Sequence, residues 1–214
     1  MKVAKASAGI IATGLLAACT MRMPPATEGS FRYDLEFLKK HDAVIVLKTD
    51  DGNARVIVSP KYQAKVFTST AEGPDGKSFG WIKYETFKQQ QPDAHMNAFG
   101  GEDRLWLGPE GGMFSLFFKP GTQQVFDNWH TPAAVDTESW ELLSSSDKKV
   151  SMSKTASLQN YKGKQLDIKL ERVVEILEPA TIAQLLGISP GDSVKSVGFS
   201  TVNTISNAGK AAWD

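Results

Sequence analysis

Residues 43–59 read AVIVLKTDDGNARVIVS, and the fold class follows from how that stretch divides. Two β-branched runs, 43–48 (AVIVLK) and 55–59 (RVIVS), flank Asp50-Asp51-Gly52-Asn53. Branched Cβ atoms favour extended backbone. An Asp-Gly pair between such runs supplies the positive φ of a tight reversal, so the stretch predicts an antiparallel hairpin. Working outward, further strands are expected at 65–69, 79–84, 113–119 and 157–161. Residues 166–177 read as a long alternating strand in which Leu166, Ile168, Leu170 and Val173 share a face, and 194–205 is strand-like again. Helix is sparse: Asp34 is placed to cap a brief helix at 35–40, and 181–186 makes a turn or two closed by Gly187. Many short strands with glycine-rich turns predict a mainly β chain, an antiparallel β-sandwich with one or two short helices.

The N-terminus carries a separate signal. Lys2 and Lys5 precede an apolar run at 8–18, broken only by Thr13 and two glycines. As a helix it would reach about 16 Å, roughly half of a hydrocarbon core of about 30 Å, so it is too short for a permanent span. It ends Leu15-Leu16-Ala17-Ala18-Cys19, which resembles the lipobox of bacterial lipoproteins. The resemblance implies that residues 1–18 are a signal peptide, that cleavage falls before Cys19, and that the Cys19 sulfur carries a diacylglyceryl group. Several acyl chains, at about 0.8 kcal/mol per buried methylene, make such an anchor stable. Thr20, where an aspartate would imply inner-membrane retention, implies the outer membrane. Residues 19–30 then form a polar, proline-bearing lipidated tether, and 31–214 the exported domain.

Cys19 is the only cysteine in 214 residues, so no intramolecular disulfide can form and the domain depends on its hydrophobic core. Hydrophobic residues make up 41%, an ordinary globular share. The 24 basic and 24 acidic residues become 22 and 24 once Lys2 and Lys5 are removed, a net charge of −2. With no basic stripe, nucleic acid is not an expected partner.

The densest chemistry lies at 97–112, NAFGGEDRLWLGPEGG, which sets Glu102, Asp103, Arg104 and Glu110 among glycines around Trp106. Charges beside Leu105-Trp106-Leu107 are costly to bury unless paired. One reading is structural, with Arg104 bridging Glu102 or Glu110 and stitching two loops together. The other is a sugar site: carboxylate and guanidinium bond hydroxyls, while the indole of Trp106 or Trp81 packs on a ring face. Residues 71–78, AEGPDGKS, fit a loose phosphate-loop pattern, but Glu72 and Asp75 would repel the ligand and no helix follows. His41, His95 and His130 stand far apart and at no ligand spacing, so neither a metal nor another cofactor is expected. His95 is either a surface or packing histidine or an acid/base or sugar-contacting group beside the charged loop.

Ser69-Thr70-Ala71, Ser78-Phe79-Gly80-Trp81, the block 97–112, Trp129, Thr131-Pro132, Asn160-Tyr161 and the segment 203–213 together resemble an uncharacterised family of secreted bacterial proteins, from about Phe31 onward. The resemblance implies a galactose mutarotase-like supersandwich, the fold of aldose 1-epimerases, of which this chain would be the N-terminal portion. It departs from the family at Lys65, where an arginine is usual and where lysine lacks the planar fork. It also offers nothing aligned with the mutarotase glutamate base. Epimerisation needs an acid and a base about the ring oxygen and anomeric hydroxyl; His95 and Glu110 are the stand-ins. A glycosidase pair drawn from Glu102, Asp103 and Glu110 would depend on their separation.

Two functions are therefore expected as alternatives. One is a lipid-anchored exported domain that binds a carbohydrate through Trp81, Glu102, Arg104, Trp106 and Glu110, with or without epimerising or otherwise processing it. The other is a non-catalytic surface lipoprotein acting as an interaction scaffold. The chain is also expected to be truncated at its C-terminus, with hydrophobic side chains exposed around Val197, Phe199 and 166–177.

Overall fold

The computed structural model describes residues 24–191 and 193–213; the expected signal peptide and Cys19 lie outside them. Two antiparallel sheets pack together as a sandwich. The first has the order β1 (Ile45–Lys48), β2 (Arg55–Ser59), β3 (Lys65–Thr70). The second has the order β4 (Glu141–Ser145), β5 (Lys149–Gln159), β6 (Gln165–Ile176), β7 (Phe199–Asn207).

The expected hairpin is β1–β2, with Lys48 opposite Arg55. Its turn is tied by Asp51, whose Oδ1 accepts from Thr49 Oγ1 at 2.6 Å and from the Asn53 N–H at 3.0 Å. These bonds to the charged form hold the Asp51 carboxyl down at about 2. Strand β2 is buried on both faces, which is why it reads as an unbroken apolar run. Val56 and Val58 join Val66, Val150, Met152, Leu170 and Val174 in the core between the sheets. Ile57 and Phe67 face the other way, onto Phe31 and Leu38 of helix α1 (Phe31–Leu38).

Several expectations are corrected. Helix α1 starts four residues early, because Ser30 rather than Asp34 caps it: Ser30 Oγ accepts from the Tyr33 N–H, and Asp34 is buried inside the helix. Residues 79–84 form only a single bridge, Ile82 to Gly100, and run into a 3₁₀ turn at Tyr84–Lys88. Residues 113–119 form turns, since Ser115 Oγ bonds the Glu110 carbonyl and accepts from the Phe117 N–H, local bonds that compete with a ladder. In β6 the strict period of two puts Leu170, Arg172, Val174 and Ile176 inward, with Val173 on the opposite face. Exposure expected around Val197, Phe199 and 166–177 falls instead on Val202 and Ile205 of β7, while Val197 and Phe199 pack against the core and Ile168, Leu170, Val174 and Ile176 are buried in it. Helix α2 (Pro179–Leu186) starts two residues before the expected position and ends, as expected, on Gly187, at φ +64°.

Both sheets share one polarity. The turns at 49–54, 71–77 and 146–148 and the α2 connection gather at one end, where the Lys148 ammonium meets Asp50 at 2.7 Å and also bonds Glu178. The loop 97–103 passes over the outer edge of β3, and Val66 exchanges backbone bonds with Asp103. Gly100 and Gly101 permit that close passage at φ +81° and +104°; a Cβ on Gly100 would lie 2.2 Å from the Trp81 carbonyl.

Candidate functional site

The charged loop disperses its side chains instead of clustering them. Asp103 reaches into the sandwich and ion-pairs with Arg172, which is fully buried. Arg172 also donates to the Ala64 carbonyl at 2.9 Å and to Asn203 Oδ1 at 2.7 Å, so the guanidinium is satisfied on three sides. Glu102 turns to β3, accepting from the Ser69 N–H at 2.7 Å and from its hydroxyl at 2.9 Å. Desolvation nonetheless raises its pKa, outweighing those two bonds. Glu110 accepts from the Trp106 indole N–H at 2.7 Å.

Arg104 pairs with neither glutamate, because both are committed elsewhere. Its ion-pair partner is Asp136, at 3.9 Å, and its guanidinium lies 4.1 Å over the Trp106 ring. Asp136 is 4% exposed and heavily organised. It accepts from Gln63 Nε2 at 2.6 Å, from Asn97 Nδ2 at 2.8 Å and from the Asn97 N–H at 3.1 Å. Gln63 and Ala64, between β2 and β3, hold positive φ of 63° and 46°, a strained turn that fixes the amide toward Asp136. Among the described residues the buried Gln63 Oε1 has no donor. Lys65, also buried, bonds the Gly100 carbonyl; its pKa falls to about 7, chiefly through burial, then through Arg104, with Asp136 opposing.

Asp136 and Asn97 floor a cavity of about 270 Å³ whose walls include Tyr62, Phe87 and Phe99, with Thr137 beside them and Gln89 to Gln91 at its margin. On the far side of Arg104 runs a stack of rings. Trp106 lies 5.3 Å from Phe117; Phe117 stacks on Trp129 at 5.2 Å; Trp129 stacks on Phe126 at 6.3 Å. Phe126 stacks on His95 at 4.4 Å, and His95 on His130 at 5.1 Å. His95 Nδ1 sits 2.6 Å from the Trp129 carbonyl, which can only accept, so that nitrogen carries the proton. No hydrogen bond or ion pair joins His95 to Glu110 among the described residues.

Of the sequence candidates, Arg104, Trp106 and Glu110 are brought together. Glu102 stands apart on Ser69, and Trp81 is 66% exposed with no ring contact to the stack among the described residues. Trp106 is not an open platform, since Arg104 covers one of its faces. Sequence reading missed Asp136, Gln63 and Asn97. The available signal was Asp136 following Ala133-Ala134-Val135, an acid in an apolar context that implies a buried partner.

Residues 29–214 match the model of a family of unknown function (DUF6786), and the chain belongs to that family. No curated protein and no solved structure matches it.

Proposed function

We propose that this is a carbohydrate-binding domain carried on a lipid-anchored, exported protein, built as part of a mutarotase-like supersandwich. The observation that supports it is the cavity in which Asp136 and Asn97 lie beneath Tyr62, Phe87 and Phe99. Gln89, Gln90, Gln91 and Thr137 offer hydroxyls polar partners over the rigid Asp136–Asn97 pair, while aromatic walls pack on the apolar face of a ring. Asp136 links the cavity to Arg104, so the Arg104–Trp106–Glu110 group lies behind the cavity and braces it. A volume of about 270 Å³ is at the lower bound for small-molecule sites, roughly 300 Å³. It suits one or two sugar rings rather than an enclosed polymer. Neither His95 nor Glu110 lines that cavity, which favours binding over epimerisation. On a glycan array the wild-type protein should retain a defined set of mono- or disaccharide termini. Phe87→Ala should lose that set by removing a wall, and Trp106→Ala should weaken it by unseating Arg104. Wild-type protein that binds no glycan on a broad array would overturn the reading.

The interaction-scaffold alternative draws on a separate observation. Strand β7 carries no charged residue and forms an edge of its sheet, with Val202 60% and Ile205 46% exposed. Such an edge can template another strand. A binding-negative glycan array together with capture of an extended peptide that Val202→Lys abolishes would favour it.

A further inference from the structure

We infer that the α2 end of the sandwich is a membrane-facing surface, and that Leu185, Leu186, Ile188 and Val194 dip into the lipid interface. The inference rests on the proposed lipid anchor at Cys19. These four side chains are 70%, 64%, 52% and 58% exposed, respectively; residues 179–191, which hold the first three, contain no charged side chain, while Val194 stands between Asp192 and Lys195 in sequence. Contiguous exposed apolar groups of this kind mark a protein or membrane contact.

Chain connectivity points to the membrane. Four residues separate Cys19 from Pro24, where the described chain starts, and the five steps between them span at most about 17 Å at roughly 3.4 Å each. The end of the domain that holds Pro24 is therefore the end nearest the lipid. Pro24 is fixed there: its carbonyl accepts from Arg32 NH1 at 2.8 Å, and Arg32 Nε bonds Asp75 at 2.6 Å. The turn containing Asp75 is joined to the β1–β2 hairpin by the Gly73 N–H to Asn53 carbonyl bond, at 2.8 Å. Asn53 in turn shares a small cavity with Pro179, Val194 and Lys195. Asp50, in the same hairpin turn, donates its N–H to Glu178 Oε1 at 3.2 Å, directly before α2, so Pro24 and α2 lie at one end of the sandwich. The aromatic stack lies toward the opposite end, where Tyr161, just beyond β5, donates its backbone N–H to the Ser115 carbonyl and its hydroxyl to the Thr122 carbonyl. Charges near the tether are mixed, with Asp50, Asp75 and Glu178 beside Lys148 and Lys195, so apolar insertion rather than attraction to acidic headgroups drives the contact.

The test uses the lipidated full chain in vesicles of phosphatidylethanolamine with a minority of phosphatidylglycerol. Nitroxides are placed singly through Leu186→Cys, Ile188→Cys and, as a control at the far end, Gln123→Cys. We expect the labels at 186 and 188 to lose collisional broadening by a soluble nickel chelate and gain it from oxygen. The control should stay open to the chelate, and the pattern should persist in high salt. Labels at 186 and 188 as open to the chelate as the control, on a chain that floats with the vesicles, overturn this inference alone. A chain that does not float overturns the lipid-anchor reading and this one with it. Protection that vanishes at one protein per vesicle assigns the patch to a second copy and likewise overturns it.

Discussion

Lys65 and Arg172 are long cations that the fold takes inside, and they behave differently because only one is matched by a close carboxylate. Arg172 has Asp103 in direct contact, with Ala64 and Asn203 filling further donors. Lys65 has a carbonyl, and its pKa is pushed from the usual 10.5 down to about 7. Between those values the unfolded chain binds a proton that the folded chain does not, so this lysine makes stability rise with pH across that window. Lys65→Met should abolish that rise; comparing Tm at pH 7 and pH 10 for both proteins checks it, at about 2–4 °C per kcal/mol for a domain of this size. Asp103→Ala strands a buried guanidinium and should cost about 3–5 kcal/mol in chemical denaturation. Asp103→Asn with Arg172→Met, which removes both charges, should recover most of that loss. Arg172 was legible in principle: two-residue alternation from Leu166 places it inward, but an arginine among inward leucines was passed over in favour of Val173. The partner was not legible, because Asp103 lies 69 positions away and only the fold brings it near.

Regular elements were read best where local chemistry and tertiary context agree. The β1–β2 hairpin, β3, most of β6 and the glycine-stopped end of α2 needed only β-branching, an Asp-Gly turn, or a glycine stop; the Pro179 start of α2 lay two residues before the expected one. Strand β4 and the first part of β5 were missed, since 141–156 is rich in serine and lysine and is held extended by pairing of β4 with β5 and of β5 with β6 rather than by propensity. In the site, Arg104, Trp106 and Glu110 were visible as neighbours in sequence, whereas Asp136 becomes their partner only through a long loop. Glycines separate the same two influences experimentally. Gly187 takes a left-handed cap with nothing within 4 Å of an added Cβ, so Gly187→Ala should cost about 1 kcal/mol. Gly100 has the same sign of φ but would drive its Cβ to 2.2 Å from the Trp81 carbonyl. Gly100→Ala should therefore cost several times as much and loosen the passage of 97–103 over β3, measured as accelerated amide exchange at Val66.

At the scale of the whole molecule the domain is polarised, with its tether at one end and its aromatic stack toward the other. On the reading proposed above, the lipid anchor and the aromatic stack would lie at opposite ends, leaving the stack to the aqueous side. The anchor itself is tested by Cys19→Ala, which should abolish palmitate incorporation and leave an uncleaved precursor; labelling that persists would refute it. The two sheets have a further consequence, for the order of events in folding. Each is a meander of chain neighbours, β1 to β3 within 45–70 and β4 to β7 within 141–207, joined by short loops except for the α2 connection between β6 and β7. Bringing them together is different, because Arg172 must shed its water and reach the Ala64 carbonyl 108 positions away. We expect that clasp to form after the barrier to folding, since its partners are distant in sequence. Weakening it should leave the refolding rate nearly unchanged and show as faster unfolding, so the buried guanidinium sets how long a folded molecule lasts rather than how quickly it is made.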